Sequence, residues 1–313
     1  MFVSGCRIEI NETGTVLRFS PGLLIGGNIS HDCGLSRGIG WFVEALLPLA
    51  AFCQRPLSLS LTGVTHHPLD LSADTFAHVT LPLLQNFGLQ GALLSVKRRG
   101  RLPRGGGEVA VSLPNVRSAL KPVYIVDEGL VRRVRGVASA SHLAPSLCAR
   151  LVESARGVLH NFLPDVQISA DCQTGKGGGS SPGYSLCLTA QATSGVLYAA
   201  EACALPSGAG DDVSTPEDVG RRVALQLLRE IETGGVVDSA HQPLLLLLMA
   251  LTPEDVSKVR LGPLTPQAVN TLRLLREVFG LTFKIQEERD NGRSSYLLTC
   301  MGLGFVNTHR KAT

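Results

Sequence analysis

Two outer stretches of this chain carry the same order of elements, and that repetition constrains the fold more than any other feature. One reads helix, strand, helix ending at Asn86-Phe87-Gly88, strand, charged loop, strand. The other reads helix, strand, helix ending at Val278-Phe279-Gly280, strand, charged loop, strand. A glycine after each helix suits the left-handed residue that commonly ends one. In the first copy Ser36 caps a helix to about Phe52, with Trp41, Ala45, Leu46 and Leu49 near helical spacing. Asp74 is expected to cap the next helix, and Pro82 inside it predicts a kink. In the second copy Pro266–Phe279 is the matching helix, Leu281–Ile285 a strand and Gln286–Ser295 the charged loop. The alternating runs Cys6–Ile10 and Thr15–Phe19, around Asn11-Glu12-Thr13-Gly14, predict a hairpin. It reads as the tail of a third copy whose front is missing. Repeated units of this kind bury each other's apolar faces.

Between the copies the texture changes. Arg132–Ser139, Val166–Ala170, Tyr184–Gln191 and Gly195–Cys203 read as strands. Pro145–Phe162 has helical periodicity, and Thr215-Pro216-Glu217-Asp218 starts a helix to about Thr233. The expected fold is α/β (α+β): repeated βαβαββ core units, the first truncated, with a smaller inserted α+β domain. The expected boundaries are 1–129 for the partial first and second repeats, 130–234 for the insert and 235–313 for the last repeat.

The loop of the first copy concentrates charge. Lys97, Arg98, Arg99, Arg101 and Arg104 are followed at once by Gly105, Gly106 and Gly107. Glycines let a backbone approach an anion closely, successive amides can cradle it, and arginine forks match phosphate oxygens. RNA is therefore one reading of the partner, and a solvated basic hairpin is the other. Net charge is only +3, so nucleic-acid contact must use local patches. Arg132, Arg133 and Arg135 at the start of the insert, Arg289, Asp290 and Arg293 in the second charged loop, and Arg310 and Lys311 are secondary contact candidates. Reversing Arg99, Arg101 and Arg104 is expected to weaken assembly and leave folding intact.

Other clusters read as bland. His66-His67 with Asp70 is a loop, since adjacent histidines point apart and no third ligand is spaced to help. Gly175–Ser180 lacks the glycine and hydroxyl of a phosphate loop. His241 reads as a surface or capping group at a helix start. No metal set and no cofactor motif is expected. Eight cysteines without a Cys-x-x-Cys pair suit free thiols in a reducing compartment. No signal peptide or membrane-length apolar run is visible, so a soluble intracellular protein is expected.

Arg99-Gly100-x-x-Pro103-x-Gly105-Gly106-Gly107-x-Val109 resembles the signature of the RNA 3'-terminal phosphate cyclase family. Further similar stretches are Phe19-Ser20-Pro21-Gly22 with Gly26-Gly27, Gly63-Val64-Thr65, Pro182-Gly183-Tyr184 and Gly234–Asp238. Ser36–Gly40, Asp255–Val259, Leu261–Leu264 and Leu298–Phe305 are similar to the eukaryotic cyclase-like branch, which acts in ribosome biogenesis. The family's core is built of βαβαββ units with an inserted domain. Its members begin with about one more α/β half-unit, so the resemblance implies an N-terminally truncated chain. In active cyclases a histidine near the start of the last core helix takes AMP; the matching position here is Gln267. Their Asp-Gln pair is matched by Asp238-Ser239-Ala240-His241-Gln242, with Gln242 the retained half. The resemblance thus implies a protein without cyclase activity that acts in 40S subunit biogenesis and early pre-18S rRNA processing. Implied partners are the small-subunit processome, its U3 snoRNP, pre-rRNA and a ribosome-assembly GTPase, in the nucleus and nucleolus. The alternatives are a pre-rRNA endonuclease using Arg289 and Asp290, and an active cyclase.

Overall fold

The computed structural model describes residues 3–173, 175–204, 215–290 and 293–308. Strands β1 (Val3–Ser4), β2 (Arg7–Ile10), β3 (Leu17–Ser20) and β4 (Leu23–Leu24) open the chain. The first complete unit is β5 (Gly27–Asp32), α1 (Ile39–Ala50), β6 (Leu57–Gly63), α2 (Ala73–Thr75), α3 (Leu81–Asn86), β7 (Leu93–Arg98) and β8 (Gly107–Leu113). After β9 (Tyr124–Ile125) follow β10 (Val131–Ser141), α4 (Pro145–Leu159), β11 (Val166–Gln173), β12 (Gly183–Ala192), β13 (Leu197–Cys203) and α5 (Pro216–Thr233). The chain closes with α6 (Gln242–Ala250), β14 (Val256–Leu261), α7 (Pro266–Phe279), β15 (Lys284–Asp290) and β16 (Arg293–Met301).

The repetition is visible in the sheets. One has the order β5-β6-β8-β7, with β5 and β6 parallel and the other pairs antiparallel. Another has the order β9-β14-β16-β15, with β9 and β14 parallel and the rest antiparallel. Both are βαβαββ units of one topology. The last unit begins at β9, before the insert, so the insert interrupts it after its first strand. The insert has its own sheet, β11-β10-β12-β13, covered by α4 and α5. In the opening hairpin Ile8 faces Phe19 and Ile10 faces Leu17, and all four are more than half exposed.

Local chemistry explains the elements. Leu57, Leu59 and Leu61 of β6 are buried while Ser58 and Ser60 face outward, the alternation a half-covered strand requires. Ile39, Val43, Leu47 and Ala50 bury one stripe of α1. The cap expected of Asp74 belongs to Ser72, which accepts from the Thr75 amide. The break expected at Pro82 falls just before it: a π-helical turn, Phe76–Thr80, joins α2 to α3, leaving Pro82 in the first turn of α3. Most of the expected charged loop Gln286–Ser295 is instead strand, because β15 and β16 pair through Asp290 and Arg293. All eight cysteines are free, five of them buried. Among the described residues no helix is long and apolar enough to cross a membrane.

Candidate functional site

The basic loop between β7 and β8 turns inward. Arg99 is 5% exposed and Arg101 4%. Arg99 donates from Nη1 and Nη2 to Asp74, at 2.7 and 3.1 Å, and from Nε to Asp171 of β11, at 2.6 Å. One guanidinium thus ties a core helix to the insert. His66 Nε2 lies 2.9 Å from the same Asp74. Burial alone would raise the Asp74 carboxyl, but His66 and Arg99 outweigh it and hold the group well below the usual carboxylate range. Burial draws the His66 imidazole down to about 4, against the pull of Asp74. Arg101 donates from Nη2 to the Ser139 hydroxyl (2.6 Å) and carbonyl (3.2 Å) on β10.

The three glycines serve packing. Gly105 and Gly106 have φ of +63° and +77°, and a Cβ on Gly106 would lie 2.3 Å from Ser180 Oγ. The Ser180 amide donates to the Gly105 carbonyl at 3.1 Å, and the Arg104 amide to Ser181 Oγ at 2.9 Å. Two glycine-rich loops that read as separate in the sequence are docked on each other. Of the five cations expected on this loop, Lys97 and Arg104 are exposed and Arg98 is half-buried against Glu108, 3.2 Å away. Arg99 and Arg101 are sealed, since carboxylates and a carbonyl distant in sequence supply their partners. Reversing them cannot leave folding intact, which corrects that expectation.

The insert reaches the core a second time through Glu201 on β13. Its carboxyl accepts from the Ser72 amide (2.8 Å), the Ser72 hydroxyl and the Thr75 hydroxyl (2.5 Å), and burial raises its pKa. Beside it lies a cavity of about 280 Å³, lined among others by His66, His67, Asp70, Cys203 and Arg222. Nothing in the sequence marked Asp74 and Asp171 as partners of the basic loop, or Glu201 as a partner of Ser72 and Thr75. Among the described residues no group of three metal-ligating side chains gathers.

His241 stands at the N-cap position of α6, one of the two places expected for it, but its side chain makes no cap bond and is buried rather than at the surface. Its Nδ1 lies 2.6 Å from Asp238 Oδ1 and its Nε2 lies 2.8 Å from Thr80 Oγ1. Burial would lower its pKa, but the adjacent Asp238 carboxylate outweighs burial and raises it. Gln242 is also buried and bridges to the start of α7, donating to the Pro263 carbonyl (3.1 Å) and accepting from the Thr265 amide (2.9 Å). Gln267 is exposed in the first turn of α7.

The secondary candidates lie elsewhere. Arg132 is exposed, Arg133 donates to Gln191 (2.6 Å) and Arg135 pairs with Asp165 (2.7 Å). They start β10, whereas Arg101 meets it nearer its far end at Ser139, about 13 to 23 Å away at strand rise. Arg289 pairs with Glu287 (2.8 Å) and Arg293 with Glu128 (3.2 Å). Asp290 ends β15; Arg310 and Lys311 lie outside the described residues.

Comparison with known proteins places this architecture. A profile of the RNA 3'-terminal phosphate cyclase family matches residues 2–285. The RNA 3'-terminal phosphate cyclase-like proteins of Mus musculus and Homo sapiens are each 47% identical over 310 residues, covering 97% of this chain and 83% of theirs. The rRNA processing protein rcl1 of Schizosaccharomyces pombe is 41% identical over 312 residues, covering 98% of this chain and 84% of its own. With its repeated units, its arginine–glycine loop and these relatives, the chain belongs to the RNA 3'-terminal phosphate cyclase family, in its cyclase-like branch.

Proposed function

We propose that this chain works in rRNA processing, as a cyclase-like scaffold of early 40S subunit assembly that does not cyclise RNA ends. The observation that carries the reading is Gln267, exposed where the family's nucleophilic histidine would start the last core helix. An amide cannot form the phosphoramidate that adenylation of an imidazole gives. His241, beside Gln242, is sealed between Asp238 and Thr80. The similarity to an rRNA processing protein of fission yeast supports the process. On this reading the partners are the small-subunit processome with its U3 snoRNP, a ribosome-assembly GTPase and pre-rRNA, in the nucleolus. The division into 1–129, 130–234 and 235–313 belongs to the same proposal, with the insert as a second binding module. Exposed Lys97, Arg104 and Arg132 are cations available to an RNA backbone.

Incubation with labelled ATP tests it. No AMP remains on the purified protein, and the protein co-purifies with processome components. AMP attachment that disappears in His241→Ala would make it a cyclase. Cleavage of a pre-18S fragment by the pure protein, abolished by Asp290→Ala, would make it the endonuclease.

A further inference from the structure

The insert opens with a β10–α4–β11 crossover, and that connection brings two cysteines to one end of its sheet. β10 and β11 run parallel, with Ala138 opposite Ala170 and Ala140 opposite Cys172, so their C-terminal ends lie side by side. α4 leaves β10 at that same end and packs back across both strands, which sets its first turn over the last residues of β11. Cys148 belongs to that turn and, with Leu151, Ala155 and Leu159, to the buried stripe of α4. Its thiol donates to the Ala138 carbonyl at 3.7 Å. Along β11, Val166 and Ile168 are buried, and alternation puts Cys172 on their face. Asp171 points the other way, to Arg99. The two thiols are close enough to act on each other: burial, and after it the neighbouring Cys172 thiol, push the Cys148 pKa up to about 12.

The pair is placed unequally. Cys148 is sealed, whereas Cys172 is partly exposed. Cys172 also lies on the outermost strand of the insert's sheet, paired on one side only. A reagent from solvent therefore meets Cys172 first, with a second thiol waiting behind it. The free side of β11 lets its last residues make the small shift that a sulfur–sulfur bond of about 2 Å requires. Cys172 stands, moreover, between two residues that hold neighbouring segments in place. Asp171 accepts from Arg99 Nε (2.6 Å), and the Gln173 carbonyl accepts from the His142 amide (3.1 Å).

We propose that Cys148 and Cys172 form a reversible disulfide when the protein meets hydrogen peroxide, and that this bond latches the end of β11 to α4. The Cys172 sulfur attacks one peroxide oxygen, the O–O bond breaks, and a sulfenic acid and one water result. The Cys148 sulfur then attacks the sulfenic sulfur. Its proton leaves with the departing hydroxide as a second water, and the disulfide remains. The two thiols give up two electrons, and the peroxide accepts them. A dithiol returns both thiols by exchange. The new bond ties α4 into a closed loop, which removes freedom from the unfolded chain. The latch belongs to the frame of the insert and is independent of the rRNA-processing reading.

Peroxide treatment of the reduced, purified protein, followed by digestion without reduction, tests it. The peptide carrying Cys148 is joined to the one carrying Cys172, and the intact mass falls by two hydrogens. The melting temperature rises by several degrees, exchange of the His142 amide slows, and dithiothreitol reverses every change. Cys148→Ala loses the joined peptide and leaves a Cys172 sulfenic acid that dimedone captures. Cys203→Ser, at another partly exposed strand cysteine of the insert, keeps the joined peptide. Cys172→Ser serves if Cys148→Ala does not fold, and loses both the joined peptide and the rise in melting temperature. Cys172 recovered only as sulfinic acid, Cys172 joined to Cys203 or to a second molecule, or a joined peptide with no change in melting temperature would overturn the latch.

Discussion

Removing the Arg99 guanidinium would leave Asp74, 4% exposed, without the cation that pairs with both its oxygens. Breaking a buried pair by deleting one partner costs about 3–5 kcal/mol. Arg99→Met is therefore expected to lower unfolding stability by that amount in urea, and Arg104→Met by no more than about 0.5 kcal/mol. The two arginines look alike in the sequence. A basic run reads the same whether water or distant carboxylates receive it, and Asp171 is 72 residues away. The two buried imidazoles respond oppositely to pH. His66 has a folded pKa of about 4 against 6.5 for the free group, so the unfolded chain binds the extra proton between those values. Its contribution is present above 6.5 and lost as pH falls to about 4, on the order of 3 kcal/mol. His241 has a raised pKa, so its contribution is present in acid and lost as pH rises through that value. Urea midpoints measured across pH should flatten on the acid side in His66→Gln and on the alkaline side in His241→Gln.

Among the elements, the docking of the two glycine-rich loops is the most exposed to a single change. Gly106→Ala places a side chain at φ +77° and its Cβ against Ser180, and is expected to cost more than about 1 kcal/mol. Faster hydrogen exchange at the Ser180 amide, which donates to Gly105, would accompany it; unchanged exchange would mean the loops do not depend on each other. Long helices such as α5 and α7 were legible from their ends, with Thr215 capping the start of α5 and Gly280 closing α7. Several strands were missed or misplaced. β9 is only Tyr124–Ile125, too short for alternation to register. β15 was expected at Leu281–Ile285 and lies at Lys284–Asp290: its charge hid its extent, because it is an edge strand, where charge is tolerated and discourages further pairing. The contacts around Glu201 were illegible for another reason: a carboxylate inside an apolar strand has no pattern that names a serine 129 residues earlier.

At the scale of the whole molecule, the opening hairpin is the part least absorbed into the rest. Ile8, Ile10, Leu17, Phe19 and Leu23 are each more than half exposed, and among the described residues β2 and β3 pair only with each other. A patch of this kind promotes association. Ile8→Glu with Phe19→Lys is expected to reduce concentration-dependent self-association in sedimentation velocity and to lower binding of an apolar dye. The urea midpoint of the remaining fold should stay where it is; a large drop would show that the hairpin is part of the core after all.

The join between core and insert also bears on how the protein is made. The first complete repeat leaves the ribosome well before Asp171 and Glu201 have been translated, because the residues they meet lie 72 and 129 positions earlier. Through that interval the surface awaiting the insert includes Ser72, Thr75, Arg99 and Arg101, whose partners arrive only with it. Water can solvate such a surface, whereas a waiting apolar face would invite aggregation. The side chains that later fasten the finished molecule together can thus be hydrated while they wait.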